Sequence, residues 1–262
     1  MAHPSCKTIF LIGIGPGDPD ALTLAAVKAL GQADVFFFLD KDGPGTESLI
    51  RFRQDLLDRH RGDRPYRVVR APSPRRDRNN AAYLDAVESW RTQRTELMAE
   101  MIEQDLAPGE SGAFLIWGDP CLYDGTLQSL RDLVEQGRAT LELRVIPGIT
   151  SVQMLAARHA VPLNRIGESV TISPGRQIET VDPASIHNTV VMLDSRSAFQ
   201  RLRGEAAMEI YWGADVGSPE ETLISGPLEA VADQIDQAVS DQRRRKGWVM
   251  DCYLLRRRSS AV

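Results

Sequence analysis

Cysteine is scarce in this chain of 262 residues: Cys6, Cys121 and Cys252 stand alone, with no Cys-x-x-Cys spacing. That argues against a disulfide framework and reads as reduced thiols in a cytoplasmic protein. Histidine is as thin. His3, His60, His159 and His187 show no pairwise ligand spacing, so no metal centre is expected. No Ser/His/Asp order stands out for nucleophilic catalysis. Positive charge is in deficit, 31 Lys and Arg against 36 Asp and Glu, for a net charge of −5. A global field that would attract nucleic acid is therefore missing. The basic runs Arg243–Lys246 and Arg256–Arg258 lack interleaved aromatics and read as a solvated helix end and a solvated tail. No apolar run reaches the length of a membrane span. The N-terminal apolar run is short, contains Gly13 and leads into Gly15-Pro16-Gly17-Asp18, not a small-residue cleavage site, so no signal peptide is expected.

What the chain does have is organised around Lys7–Asp40, which reads as strand, glycine-rich turn, helix and strand. Thr8–Ile14 is nearly unbroken apolar sequence, as in a strand buried on both faces. Gly13, Gly15 and Gly17 then allow a tight turn and close approach of a ligand to the backbone. Leu24, Val27 and Leu30 give helical spacing up to Gly31, and Val35–Leu39 is a second buried strand. The turn invites a dinucleotide-binding reading, but the sixth position of that fingerprint is Asp18 where glycine is required. A carboxylate there would cap the helix and repel a phosphate. A ligand without phosphates fits the turn; so does a plain strand-to-helix turn with no ligand.

With 42% hydrophobic residues the chain can fill one large core or two moderate ones. Helices are expected at Thr46–His60, Asn79–Asp105 and Leu127–Val134. Strands are expected at Tyr66–Arg70, Ala113–Trp117 and Leu141–Ile146. The alternation argues for a parallel, doubly wound sheet. Between them Ala71–Arg78 is a loop with two prolines and three arginines. Pro147-Gly148 opens a new phase, and a domain boundary is placed there, giving 1–148 and 149–262. Beyond it come a short helix, Thr150–His159, and strands at Ser169–Ile172, Thr189–Leu193, Glu209–Trp212 and Val249–Leu255. One good helix, Leu228–Val239, lies before the last of these.

Two further stretches carry chemistry. In an open parallel sheet, ligands sit beyond the carboxyl ends of the strands. Gly118-Asp119-Pro120, inside Phe114–Gly125, lies at such an end and presents amides, a carboxylate and a rigid bend; alone, Gly-Asp-Pro is a good turn anywhere and reads more often as a plain turn than as a site. In Val145–Leu163 a strand ends in Pro147-Gly148 and a helix starts at Thr150-Ser151. Hydroxyls and amides there suit a carboxylate or ribose hydroxyls, or serve only as an N-cap.

Together the glycine turn through Ala33-Asp34-Val35, the Gly118–Pro120 strand end and Pro147-Gly148-Ile149-Thr150-Ser151 resemble the tetrapyrrole methylase family, over most of the chain and in the right order. The resemblance implies two α/β domains, with a mostly parallel sheet in the N-terminal domain and a mixed sheet in the C-terminal one. It implies S-adenosyl-L-methionine held in the cleft between them, S-adenosylhomocysteine as product, and a homodimer. The family's cofactor positions match Pro16, Trp117, Gly118, Asp119, Leu122, Tyr123, Thr150 and Ser151. From the second domain they match Leu193, Gly213 and Ala214. The marks Phe36–Gly43, Thr171–Arg176, Thr189–Ser195 and Glu209–Gly226 point within the family to a member that methylates precorrin-5 at C1 and releases acetate.

A deacetylating member must also activate water. The family's proton-accepting aspartate after the second strand falls, by count from Thr23, on Leu39, with Asp40 one residue later. Asp40 is therefore the candidate base, with Lys41 to stabilise the oxyanion, against the alternative of a surface ion pair. A precorrin is acidic and this chain is net negative. Arg70, Arg75, Arg76 and Arg78 are accordingly the expected carboxylate holders, the alternative being a solvated loop. Other readings are a family member acting on a different precorrin or a macromolecule, a nicotinamide-dependent dehydrogenase, and a non-catalytic S-adenosylmethionine-binding protein. A small tetrapyrrole is the expected partner, with neither nucleic acid nor membrane.

Overall fold

The computed structural model describes residues 6–40, 47–74 and 83–258. The chain divides into two compact units. One holds the residues up to Gly15 and Pro19–Ile149; the other holds Pro16–Asp18 and the residues from Thr150 onward.

The first unit runs β1 (Lys7–Gly13), α1 (Leu24–Gln32), β2 (Val35–Asp40), α2 (Glu47–His60), β3 (Arg67–Pro72), α3 (Tyr83–Asp105), β4 (Ser111–Ile116), α4 (Thr126–Glu135) and β5 (Leu141–Ile146). Its sheet is ordered β3-β2-β4-β1-β5 and every pairing is parallel, so all the carboxyl ends share one edge. Side chains alternate across it. Phe10, Ile12, Phe36 and Phe38 pack with Ala26, Leu30 and Leu56 under α1 and α2. Ile9, Leu11, Phe37 and Phe114 pack with Met98, Ile102, Leu130 and Leu133 under α3 and α4. Each fully buried aliphatic or aromatic side chain contributes about 1.5–3 kcal/mol, whereas an exposed ion pair contributes about 0–1. The two apolar faces therefore hold this unit, and ion pairs such as Arg67–Glu110 at 2.7 Å trim its surface.

The second unit contains α5 (Ser151–Arg158), β6 (Val170–Pro174), α6 (Gly175–Ile178), β7 (Asn188–Met192), β8 (Met208–Ala214), β9 (Thr222–Pro227), α7 (Leu228–Lys246) and β10 (Asp251–Arg257). Its sheet is ordered β6-β7-β10-β8-β9, with β6 parallel to β7 and the other pairs antiparallel. Trp212, Tyr253, Phe199, Ile210, Leu228 and Ile235 anchor its core. No helix among the described residues is long and apolar enough to cross a membrane.

Several expectations are corrected. Leu24 is 79% exposed, and the buried side of α1 is Ala26, Ala29 and Leu30. Asp18 does not cap that helix: Thr23 does, its hydroxyl accepting from the Ala26 amide at 3.0 Å, and Asp18 pairs instead with Arg158. Helix α7 continues seven residues past Val239 to Lys246 before Gly247 ends it in a left-handed cap. The cations of its last turn suit the negative helix end, and Lys246 is not solvated but pairs with buried Asp215 at 2.7 Å. Arg256–Arg258 is no solvated tail either. Arg256 is buried in β10, donating to Asn188 Oδ1 at 2.8 Å and to the Pro162 carbonyl. Arg258 pairs with Glu209.

Candidate functional site

Sheet topology marks two crevices in the first unit. The helix after β4 lies on the face opposite the helices that follow β1 and β2, and β4 sits between those strands. Each flank of β4 is therefore a point where connections diverge to opposite faces, the place where such sheets leave room for ligands.

On the β1 flank the walls are backbone. Gly15 and Gly118 form an isolated bridge, Gly118 donating at 2.8 Å and Gly15 at 3.3 Å. Both adopt positive φ, 77° and 70°. A Cβ on Gly13 would lie 2.5 Å from the Gly148 nitrogen, and one on Gly148 would collide with the Gly118 carbonyl. Three strand ends thus meet at a distance that only glycine allows. The Asp119 carboxylate braces them: Oδ2 accepts from the Gly148 amide at 2.9 Å and Oδ1 from the Cys121 amide at 2.7 Å. Asp119 therefore shapes the edge, and its carboxylate is engaged within the protein. Trp117 packs on Phe52 with ring centroids 5.1 Å apart. Next to them Leu122 is half-buried, and Tyr123 is 46% exposed at φ 53°. A non-glycine residue on left-handed backbone costs about 1–3 kcal/mol, a strain kept only where the surrounding structure holds it.

On the β2 flank the walls are charged. β2 and β4 pair only through Val35–Phe37 and Gly112–Phe114, so their carboxyl ends part. The Arg53 guanidinium of α2 enters that opening, its Nε donating to the Leu115 carbonyl and its Nη1 to the Leu49 carbonyl, both at 3.3 Å. From the opposite face Arg94 of α3 donates to Thr126 Oγ1 at 2.8 Å and lies over the Trp90 ring. Burial pulls both guanidinium groups below their ordinary pKa. At Arg53 the charges of Asp40 and Asp124 oppose that shift and Arg94 adds to it; at Arg94, Asp124 opposes it. Asp40, at the end of β2, is bound by Arg70 Nε at 2.7 Å. The expected base and one expected substrate arginine are thus joined to each other. Lys41, Arg75, Arg76 and Arg78 lie outside the described residues.

The second unit carries the remaining expected positions. Pro16 is buried. Thr150 caps α5 in a capping box, its hydroxyl accepting from the Val152 amide at 3.2 Å, and the Ser151 carbonyl accepts the Cys252 thiol. Leu193 is 65% exposed at φ 55°, the same signature as Tyr123. Gly213 and Ala214 pair in β8 with Cys252 and Asp251; Ala214 lies in the core, and a Cβ on Gly213 would meet Val216 at 2.7 Å. A cavity of about 460 Å³ opens beside α6, lined by Thr171, Ser173, Gln177 and Thr189 among others; none of the expected site residues lines it.

Two features were missed from sequence. Arg53 and Arg94 are the first, and each had a signal. Arg53 falls on the apolar stripe Leu49, Leu56, Leu57, and Arg94 on the stripe Trp90, Leu97, Met98, Met101. A cation at a core-facing helical position asks for an explanation. The second is a pair of acids, Asp194 buried and Asp251 half-buried. Asp194 accepts from the Tyr253 hydroxyl at 2.6 Å and from the Ala198 and Arg196 amides at 2.7 and 3.0 Å. Asp251 accepts from Trp212 Nε1 at 3.0 Å, and burial pushes its carboxyl up to about 7, helped by the charge of Asp194. Nothing local in the sequence announces either acid.

The model of the Tetrapyrrole (Corrin/Porphyrin) Methylases matches residues 8–232. Among curated proteins, the chain is 38% identical over 257 residues to a precorrin-6A synthase (deacetylating) from Sinorhizobium sp, covering 98% of each. Among solved structures it is similar to a cobalamin synthesis related protein (CobF) from Corynebacterium diphtheriae. That match has a TM-score of 0.81 at 33% identity and covers 96% of this chain and 99% of that one. A uroporphyrin-III C-methyltransferase from Thermus thermophilus, complexed with S-adenosylhomocysteine, shares the fold at a TM-score of 0.56 and 17% identity, over 95% and 97% of the two chains.

Proposed function

The chain belongs to the tetrapyrrole (corrin/porphyrin) methylases, and from that premise we propose that it carries out the deacetylating precorrin-6A synthase reaction. It methylates precorrin-5 at C1 with S-adenosyl-L-methionine as donor and releases acetate. The observation that carries this reading is 38% identity across 98% of both chains to a relative of that activity. The same reading makes the working form a cytoplasmic homodimer.

The glycine edge fits such a donor. Its described walls are backbone, Trp117 and Tyr123, surfaces that suit a ligand without phosphates. When bound, the donor supplies an electrophilic methyl group. Trp117, Gly118, Leu122 and Tyr123 hold it from the first unit, while Asp119 keeps that edge in shape. Pro16, Thr150, Ser151, Leu193, Gly213 and Ala214 are the second unit's share. Correct placement of two reactants is worth about 7–11 kcal/mol of barrier, so positioning does most of what methyl transfer requires.

Acyl loss needs more. Asp40 takes a proton from water as the water oxygen adds to the acyl carbon of precorrin-5, and Arg70 orients its carboxylate. The carbon–carbon bond to C1 then breaks, acetate leaves, and the electron pair left on C1 is the nucleophile for the methyl group. Incubation with precorrin-5 and methyl-labelled donor should give labelled product and acetate one-for-one. Asp40→Asn should bind S-adenosylhomocysteine normally yet release acetate at least ~10²-fold more slowly, the scale of losing a general base. Methylation of precorrin-5 without acetate contradicts the assignment; normal acetate release by Asp40→Asn removes Asp40 from it.

A further inference from the structure

Arg53 and Arg94 belong to helices on opposite faces of one sheet, yet both reach its carboxyl edge beside β4, Arg53 at the Leu115 carbonyl and Arg94 at Thr126, where α4 begins. They come close enough for the charge of Arg94 to disfavour that of Arg53. Two cations brought together out of water are costly unless an anion compensates. The nearby acids compensate only part of this: Asp40 Oδ2 is bound by Arg70 at 2.7 Å, and Asp124, which accepts the Thr126 amide at 2.7 Å, is a single carboxylate whose charge serves both arginines. Structural duty does not use these arginines up either. A guanidinium has five N–H donors. Among the described residues Arg53 engages only Nε and Nη1, with carbonyls, and Arg94 only Nη2, with a hydroxyl. Each guanidinium therefore keeps donors among the described residues, and a guanidinium fork grips a carboxylate through two parallel hydrogen bonds.

We propose that Arg53 and Arg94 form a carboxylate-binding site in the opening between β2 and β4, which takes an acid side arm of the tetrapyrrole substrate on the flank of β4 away from the glycine crevice. The proposal rests on the precorrin reading above. It also answers a requirement of charge: a net-negative protein holds a polyanion only through a local cationic site. Asp40 ends β2 on the same opening, so an acid arm fixed there sets the substrate beside the expected base.

The test uses uroporphyrin, a stable polycarboxylated tetrapyrrole, and its methyl ester, with binding followed by fluorescence quenching. The parent protein should bind the acid and not the ester. Arg94→Gln should weaken acid binding and raise KM for precorrin-5 by about tenfold or more, the scale of losing a charge-assisted hydrogen bond. Its affinity for S-adenosylhomocysteine should not change. Arg94→Lys should recover part of the acid binding, which a purely steric role would not produce. In Arg53→Lys, which keeps the charge and gives up the fork, acid binding should weaken while the melting temperature holds. Equal binding of acid and ester by the parent, no binding of the acid at all, or parental acid affinity in Arg94→Gln would each overturn the site. A parent that binds uroporphyrin through these arginines but does not turn over precorrin-5 would overturn the proposed reaction and leave the site standing.

Discussion

The two units hold their strand ends by opposite means. In the first, backbone meets backbone: Gly13, Gly118 and Gly148 converge where a single Cβ on Gly13 or Gly148 would collide, and one carboxylate, Asp119, ties two loops together. In the second, buried and half-buried acids gather donors from distant strands and helices. Asp194 takes Tyr253, Asp215 takes Lys246 and Asp251 takes Trp212. The glycine device leaves an edge of free backbone shape, suited to a ligand. The acid device fills its own space, so it fixes architecture and links that unit's stability to pH. The close approach of strand ends in the first unit is therefore made from residues without side chains, and the ties of the second from side chains that bond across the fold.

Gly148→Ala tests the first half of that contrast most severely. The added methyl group meets backbone atoms of Gly118 and Gly13, which have no rotamer with which to move aside. A loss of about 3 kcal/mol is expected, the upper end of overpacking effects, together with loss of S-adenosylhomocysteine binding. Chemical denaturation and calorimetry measure both. A folded, binding-competent Gly148→Ala protein would break the comparison.

Asp251→Asn tests the second half, with a smaller effect. The folded carboxyl titrates at about 7, against about 3.9 in the unfolded chain. Between those values the folded state holds a proton that the unfolded state has lost, so this group makes stability fall as pH rises from about 4 to 7 and adds no slope above that. At 1.36 kcal/mol per unit the whole excursion is about 4 kcal/mol, and the partial exposure of Asp251 reduces it to about 2. Asp251→Asn keeps an acceptor for Trp212 and removes the titration. Relative to the parent it should gain about 2 kcal/mol at pH 8 and nothing near pH 4. A difference between variant and parent that is the same at both pH values would show that folding does not raise the pKa of the Asp251 carboxyl.

The contrast also explains what could be read from the sequence. In the first unit β1 is an apolar run and lies within one residue of Thr8–Ile14 at each end, while β5 alternates apolar with charged residues up to Pro147 and lies at its expected Leu141–Ile146. Thr150 as the start of α5 was legible because a capping box is local. Strand β9, Thr222–Pro227, was not: it is short, partly polar, and carries Gly226 at φ 153°, so its identity comes from pairing with β8. The Asp194–Tyr253 contact spans 59 residues and leaves no local trace. Of the candidate site, the glycine crevice was visible as motif. The arginine crevice was written into two helical stripes whose single charged positions drew no reading. The burial of Arg256 was likewise hidden, because an arginine run at a strand end looks like a tail until Asn188 is brought opposite it.

The most direct measurement is a crossed binding experiment on the two flanks of β4, with Gly118→Val and Arg94→Gln each titrated with S-adenosylhomocysteine and with uroporphyrin. Melting curves establish that each variant is folded, and Gly118→Ala serves if valine at φ 70° is too strained. The account predicts opposite losses. The glycine variant gives up S-adenosylhomocysteine and keeps uroporphyrin, while the arginine variant loses about tenfold or more in uroporphyrin affinity and keeps S-adenosylhomocysteine. A folded variant that loses both ligands, or loses the one assigned to the other flank, would contradict the division of cofactor and substrate across β4.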